Sequence, residues 1–184
     1  MKLSAGDHEI HKHFLNPEGE YPYDHPTFEG DEDKPEDPYR IGNQYKGDTS
    51  GDGKLTYFEA HPEWYGLIDG ERRKNVSTWQ GVNFCTSNAD ARMELAKNFV
   101  QGLIDGRYRK ADIVNFLMID GGQWCECDNC KKAGNASDKQ FSVIVDILDE
   151  MEEARLKGKL SREVEIRMSA YVKTIEPPTK DLPE

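Results

Sequence analysis

The sequence lacks any long apolar run. No stretch approaches the roughly 20 apolar residues that a membrane-spanning helix needs, and residues 1–20 contain no apolar core of a signal peptide. Basic residues are also scarce, because 24 Lys and Arg stand against 35 Asp and Glu, which gives a formal net charge of −11. Such a surface repels phosphate backbones. It therefore argues against nucleic-acid binding and suits neutral sugars or cations as partners.

Cysteine is sparse as well. Four cysteines in 184 residues are too few for a disulfide-dense scaffold, so the cysteine count does not indicate whether the protein folds in an oxidising or a reducing compartment.

The chain begins in a polar stretch and stops at EPPTKDLPE, directly after a predicted strand and without a closing helix. We weigh an intracellular protein against an internal piece of a longer one. The two ends favour the interpretation that the chain is an internal piece of a longer protein, with the rest of the parent chain missing.

Aliphatic residues are rare in the first third of the chain. Residues 1–60 are instead rich in Pro, Gly, Asp, Glu, His and Tyr, and the prolines of YPYDHPTFEGDEDKPEDPYR recur too closely for a long helix. We interpret residues 1–60 as a long irregular acidic loop region that its aromatic residues help to order. Disorder is the alternative. Residues 61–184 are predicted to form a separate folded domain.

From residue 78 onwards, strands alternate with helices. The predicted order is a strand in WQGVNFCTS, a helix capped by Ser87 and ended by Gly106, a strand in DIVNFLMID, a helix over 138–157 and a strand in EVEIRMSAYV. This β-α-β-α-β order predicts an α/β fold whose parallel strands are joined by right-handed crossovers. Parallel sheets carry their chemistry at the carboxyl ends of the strands. We therefore expect Cys85, Asp120 and Tyr171 along one edge.

The cysteines lie at these strand ends. Cys85 ends the first predicted strand, and the other three follow the second one as Cys125, Cys127 and Cys130. The Cys-x-x-Cys spacing lets two thiolates point at one ion, and the preceding Cys-x-Cys adds a third ligand, so we predict a four-cysteine zinc site. Two disulfides, or four buried thiols without a ligand, remain alternatives. A redox dithiol is disfavoured because neighbouring carboxylates raise a thiol pKa.

An acidic turn resembles a calcium-binding loop. Residues 48–59, DTSGDGKLTYFE, match the twelve-residue loop of an EF-hand, with Gly53 at the sharp turn in its sixth position. The preceding segment is a poor entering helix, so we predict a lone structural calcium loop, as in dockerin-like repeats. An Asp-Gly turn with solvated charges is the alternative. The predicted ligands are Asp48, Ser50, Asp52, the Lys54 carbonyl and Glu59.

Four motifs occur in order over residues 57–180: HPEWYGLIDGERR, NFCTSNADAR, DGGQWCECDNC and SAYVKTIEPP. Together they resemble the bacterial domain-of-unknown-function family numbered 4838, whereas the residues before 57, the calcium-like loop included, do not obviously belong to it. The resemblance implies about three βα units of a TIM (β/α)8 barrel akin to α-glucuronidases and hexosaminidases. It also implies a secreted, periplasmic or cell-surface parent protein that binds or hydrolyses a glycan, but it supplies no proven catalytic residues.

Glycoside hydrolysis requires two carboxyl groups. Asp120 at a strand end and Glu126 on the same loop are the candidates, although Asp120 can equally bind sugar hydroxyls or cap the loop. Trp124 can stack on a sugar ring or serve as an ordinary core or rim residue, while His61 and Tyr171 are expected on the same edge. A non-catalytic glycan-binding or structural module is the alternative function.

Overall fold

A computed structural model describes residues 2–6, 8, 10–21, 40–41, 44–45, 47–76, 81–119 and 122–180. The strands in chain order are β1 Ser4–Ala5, β2 Arg40–Ile41, β3 Gln44–Tyr45, β4 Leu67–Ile68, β5 Glu71–Arg72, β6 Ile113–Asn115 and β7 Glu165–Arg167. The helices are α1 Ile10–Phe14, α2 Tyr57–Ala60, α3 Ala89–Ile104, α4 Asp128–Lys132 and α5 Ala136–Leu156, with 3-10 turns at Pro62–Trp64 and Val172–Thr174.

The central sheet is parallel. Its strand order is β1-β6-β7, with Ser4 opposite Ile113 and Ile113 opposite Glu165, and two antiparallel hairpins, β2-β3 and β4-β5, lie outside it. The predicted α/β fold with parallel strands is therefore confirmed for three strands. A complete (β/α)8 barrel is not present in the described residues.

The prediction of a first sheet strand in WQGVNFCTS is wrong. Residues 81–85 run extended, but they pair only through an isolated parallel bridge between Val82 and Gln123. The strand beside β6 is instead β1, because the Leu3 backbone N–H donates to the Asp112 carboxylate and the Leu3 carbonyl accepts from the N–H groups of Asp112 and Ile113. A strand of two residues is too short to show a hydrophobic periodicity.

The core extends across the predicted boundary at residue 60. Ile10, Phe14 and Leu15 of the amino-terminal segment are buried together with Phe99 of α3. The rings of Phe14 and Phe99 lie edge to face with their centroids 5.3 Å apart, a favoured aromatic geometry. The described residues on both sides of position 60 therefore share one core. The predicted acidic stretch over residues 22–39 lies outside the described residues.

Helices α3 and α5 pack against each other. Arg92 of α3 and Asp146 of α5 form an ion pair with an N–O distance of 2.6 Å. The cap of α3 was predicted one residue too early: Asn88, not Ser87, accepts from the Ala91 N–H, because the Ser87 hydroxyl lies against the cysteine sulfurs. No helix within the described ranges has both the length and the apolar character to cross a membrane.

The carboxyl-terminal segment is tied to the start of α5. The Asp138 carboxylate accepts from the backbone N–H groups of Asn135, Thr179 and Lys180 and from the Thr179 hydroxyl, at 2.7–2.9 Å. Burial acts to raise the pKa of Asp138, but these hydrogen bonds lower it more. One carboxylate thus closes the capping box of α5 and fixes the segment that follows the Val172–Thr174 turn.

We predict that Asp138→Asn lowers the free energy of unfolding at pH 7 by about 1–2 kcal/mol, because the amide replaces an acceptor with a donor facing N–H groups. Since folding depresses this pKa, the contribution is present above the ordinary aspartate value of about 3.9 and is lost as the pH falls through the lower folded value. Urea unfolding at pH 7 and pH 3 measures both effects. Asp149→Asn, an exposed position on the same helix, is the control, and equal losses in the two variants would contradict the assignment.

Candidate metal centre and adjacent cleft

Three chain segments meet near the carboxyl end of β6. Gln123 N–H donates to the Gly81 carbonyl at 3.0 Å, Cys85 N–H to the Trp64 carbonyl at 2.8 Å, and Glu126 N–H to the Leu67 carbonyl at 2.8 Å. These bonds join residues 81–85, the β4-β5 hairpin with the preceding turn, and residues 122–127. The contact between the first two segments requires Gly66, because a Cβ there would lie 2.3 Å from Val82 Cγ1 and 2.6 Å from the Asn83 carbonyl oxygen.

The four cysteines converge at this junction. Their Sγ atoms all lie within 4.8 Å of one another, and Cys85 Sγ lies 3.7 Å from Cys127 Sγ and 3.8 Å from Cys130 Sγ. Four thiolates around one tetrahedral ion, with bonds of about 2.3 Å, would place their sulfurs about 3.8 Å apart. All four cysteines are free. The predicted cluster is confirmed, and its geometry can hold a metal ion.

Local backbone structure aims each sulfur inward. Cys127 is the N-cap of α4, and its sulfur accepts from the Cys130 N–H at 3.4 Å, which places these two thiols on the same side of the first turn. Cys125 lies two residues earlier in extended chain, and its sulfur accepts from the Leu67 N–H at 3.3 Å. N–H donors of this kind orient thiolate ligands from outside the coordination shell.

Besides Thr86, whose Oγ1 lies 3.9 Å from Cys130 Sγ, two further side chains contact the sulfurs. Ser87 Oγ lies 3.1 Å from Cys130 Sγ, 3.5 Å from Cys85 Sγ and 3.6 Å from Cys127 Sγ. Arg72 Nη1 lies 3.9 Å from Cys125 Sγ and donates to the Tyr65 carbonyl at 2.7 Å. The Arg72 charge partly offsets the negative charge that four thiolates would bring. Neither the Ser87 nor the Arg72 contact was predicted from the sequence. Ser87 could have been suggested by its position two residues after Cys85, whereas no sequence pattern points to Arg72.

The pKa values of the clustered thiols shift in opposite directions. Hydrogen bonds from Cys125 and Cys85 lower the pKa of Cys130 to about 3. Hydrogen bonding to Cys130 and Cys85, together with burial, raises the pKa of the Cys125 thiol. Burial opposes ionisation of Cys127, but the Cys130 N–H and the Ser87 hydroxyl outweigh it and lower its pKa. Cys127 and Cys130 therefore favour the thiolate, the form that binds metals, whereas Cys125 favours the protonated thiol.

Trp124 and Tyr171, two predicted sugar-binding residues, line one small cleft of about 20 Å³ beyond the carboxyl ends of β6 and β7. Two polar side chains are fixed in its wall. His8 Nδ1 donates to the Met118 carbonyl at 2.9 Å, and the buried Gln140 donates through Nε2 to the Phe116 carbonyl at 3.3 Å. The cleft thus combines aromatic and positioned polar groups, as small-molecule sites do.

The other predicted site residues lie apart from this cleft. His61 stacks on Trp64 with a centroid distance of 4.0 Å, and its Nδ1 lies 3.0 Å from Glu63 Oε1. The exposed Glu126 accepts from the Asp69 N–H at 3.1 Å, so its carboxylate fixes the turn between β4 and β5. Neither His61 nor Glu126 is among the described residues that line the cleft. Asp120 lies outside the described residues.

The calcium-like loop forms a compact turn. Gly53 has φ +78°, as the predicted sixth position requires, and the Asp48 carboxylate accepts from the Gly51 and Gly53 N–H groups at 2.7 and 2.8 Å. The Thr49 hydroxyl, helped by the Thr56 and Thr49 N–H groups, lowers the pKa of Glu59 to about 2. The remaining predicted ligands belong to the same loop, but among the described residues Asp48, Asp52 and Glu59 do not converge into a group that could hold a metal ion, as the four cysteines do.

Comparison with protein families gives one match. Residues 44–183, more than half of the chain, match the family described as domain of unknown function DUF4838, and the chain belongs to this family. The resemblance inferred from the four motifs is thereby confirmed. The match also begins earlier than expected and includes the calcium-like loop. Comparison with curated proteins and with solved structures found no match.

Proposed function

We propose that this chain is a glycan-binding part of a barrel-type domain, in which a zinc ion fixes the loops beside the sugar cleft. The observation that carries the proposal is the cluster of four sulfurs within 4.8 Å of one another. Trp124 lines the cleft, and in the chain it directly precedes Cys125, one of the four cysteines. A metal bound by the cluster would therefore hold one wall of the cleft.

Zinc suits the donor set. Soft thiolates favour Zn²⁺ over the hard cations Mg²⁺ and Ca²⁺, and a four-cysteine set fills a tetrahedral shell and leaves no position for substrate. Three of the four cysteines are buried, which shields the centre from solvent. The role that follows is structural: the ion would tie Cys85 of one segment to Cys125, Cys127 and Cys130 of another, and it would supply cross-linking rather than chemistry.

We predict about one zinc ion per chain in protein purified under reducing conditions, measured by elemental analysis, because all four ligands come from one chain. Cys127→Ser should lose the metal and several kcal/mol of unfolding free energy. Cys127→His is the matched control, since imidazole also binds zinc, and it should keep most of the metal. Wild-type protein with no bound metal would refute the zinc site.

The cleft supports sugar binding. It lies beyond the carboxyl ends of two parallel strands, the edge at which α/β folds place their sites. Trp124 is half-buried and Tyr171 is exposed, so both rings can offer an apolar face while the wall around them presents hydrogen-bonding groups. The parent protein would then act on a bacterial, plant or host polysaccharide from outside the cytoplasm, as the family resemblance implies.

We predict that Trp124→Ala and Tyr171→Ala each weaken polysaccharide binding by about tenfold, because each removes one aromatic face of the site. Affinity electrophoresis against a panel of plant and bacterial polysaccharides measures the effect. Leu156→Ala is the control, since this exposed residue lies at the far end of α5 from the cleft. Unchanged binding by both aromatic variants would exclude this cleft as the sugar site.

Glycoside hydrolysis is the second candidate function. Ile119 lines the cleft, and Asp120 directly follows it in the chain. The Glu126 carboxylate supports the β4-β5 turn, so a catalytic role would require it to leave the Asp69 N–H. The test is to measure turnover of the same panel of polysaccharides by the full-length protein. Asp120→Asn should then abolish hydrolysis and retain binding, whereas unchanged turnover on every active glycan would reduce the proposal to binding alone.

Calcium binding by residues 48–59 is a further part of the proposal. The ion would have to take the Glu59 carboxylate from Thr49 and Thr56, which now donate to it. We predict that Ca²⁺ raises the melting temperature by a few degrees through preferential binding to the folded state. Asp48→Asn should abolish this rise, while Asp149→Asn should retain it. The absence of a calcium-dependent shift in wild-type protein would count against the loop.

A further inference from the structure

We propose that Cys85 and Cys127 form a disulfide when a peroxide reaches them, and that this reversible modification releases the metal ion. Because the metal is the zinc ion proposed above, the modification depends on that metal centre. The four cysteines differ in their access to solvent, and this difference selects the pair that reacts.

A cavity of about 360 Å³ lies against one side of the cysteine cluster. Cys85 and Cys127 line it, whereas Cys125 and Cys130 are not among the described residues of its wall. Cys127 is also half-buried, while the other three cysteines are buried. Because thiol oxidation follows exposure, an oxidant that enters this cavity meets Cys127 first.

The cavity is polar and wide enough for hydrogen peroxide. Its wall includes the charged residues Glu63, Arg72 and Asp128 and the amide residue Asn88. One water molecule takes up about 30 Å³ of liquid volume, and hydrogen peroxide is only one oxygen atom larger. A small polar oxidant can therefore reach the two cysteines without crossing an apolar barrier.

The sulfurs of the reacting pair are already neighbours. Cys85 Sγ lies 3.7 Å from Cys127 Sγ, and the Ser87 hydroxyl contacts both sulfurs, at 3.5 and 3.6 Å. A disulfide bond of about 2.05 Å requires the two sulfurs to approach by roughly 1.7 Å. Cys127 is the N-cap of α4, so it can make this movement at the start of the helix rather than within it.

Cys130 is the competing partner for Cys85. Its sulfur lies almost as near, at 3.8 Å from Cys85 Sγ, but the residue is fully buried and is not among the described residues that line the cavity. The oxidant reaches Cys127 directly, and Cys130 only through the packed cluster. The disulfide should therefore join Cys85 to Cys127.

The reaction balances with a peroxide as the oxidant. The Cys127 thiolate attacks one peroxide oxygen, so an S–O bond forms, the O–O bond breaks and hydroxide leaves. The Cys85 thiolate then attacks the Cys127 sulfur, which forms the S–S bond and expels a second hydroxide. Two protons from solvent convert both hydroxides to water. The two sulfurs together lose two electrons, which the peroxide gains, and the metal site loses two of its four thiolate ligands.

The test adds hydrogen peroxide to the zinc-loaded chain and follows free zinc with a chromogenic chelator. About one zinc ion per chain should be released, because two remaining thiolates do not complete a tetrahedral shell. Dithiothreitol followed by added zinc should restore the bound metal, since a disulfide is reversible.

Peptide mapping identifies the bond. After free thiols are alkylated, trypsin should place Cys85 in residues 75–92 and the other three cysteines in residues 111–131. A disulfide between these two peptides includes Cys85. Within the second peptide, the cysteine without the alkyl group should be Cys127.

Matched variants test the role of the cavity. Imidazole also binds zinc, so Cys127→His and Cys125→His should each retain the metal before oxidation. Peroxide should release zinc from Cys127→His about tenfold or more slowly than from wild type, because the exposed thiol is gone. Cys125→His should respond like wild type, because both cysteines of the cavity remain. Mapping in wild-type protein tests the same pairing if either variant fails to fold.

Three results would overturn the inference and leave the metal centre standing. They are zinc that stays bound under peroxide, a disulfide that omits Cys85 or Cys127, and equal rates of zinc release from the two variants. Wild-type protein that contains no zinc before oxidation would overturn the metal centre and, with it, this inference.

Discussion

The convergence of four sulfurs is the constraint on which this part of the chain depends. The segments that meet there contribute little regular structure: β4 and β5 have two residues each, and residues 81–85 pair only through one isolated bridge. A two-stranded hairpin of this length is marginal in water. Trp64, Tyr65 and Phe84 anchor the backbone on either side of this junction in the main core, but the tips that carry the sulfurs are held by a few backbone hydrogen bonds and by packing around Gly66. A bound ion would cross-link these tips.

The junction and the cleft share the same piece of backbone. Asn83 is buried, and its side chain accepts from the Ile119 N–H at 3.0 Å and donates to the Gln123 carbonyl at 3.2 Å. It therefore fixes both ends of the stretch that contains Asp120, while Cys85 lies two residues further along the same segment. Removal of a metal from the sulfurs would loosen Asn83 and the segment around Trp124 together. A structural ion can in this way affect ligand binding without contacting the ligand.

The sequence predicted the site better than it predicted the sheet. Cys-x-Cys-x-x-Cys and Cys85 were found by ligand spacing, which reports a local chemical requirement, and the four motifs identified the family. The first strand was misplaced because residues 81–85 are apolar for another reason: Phe84 is buried in the main core and Cys85 in the sulfur cluster, although neither belongs to a strand of the sheet. The strand that does pair with β6 is Ser4–Ala5, which at two residues is too short to show a strand pattern. Arg72, Ser87 and Asn83 act through folded proximity, which no spacing encodes.

The position of β1 determines which residues the folding unit must include. The family match begins at residue 44, yet β1 and α1 precede it and supply a strand of the parallel sheet together with the buried Ile10, Phe14 and Leu15. His8, which lines the cleft, belongs to the same amino-terminal stretch. A fragment cut to the matched residues would expose β6 as an edge strand and uncover the Phe14 side of α3. The sheet, the core and the cleft wall thus all require residues before the match, and the folding unit has to include them.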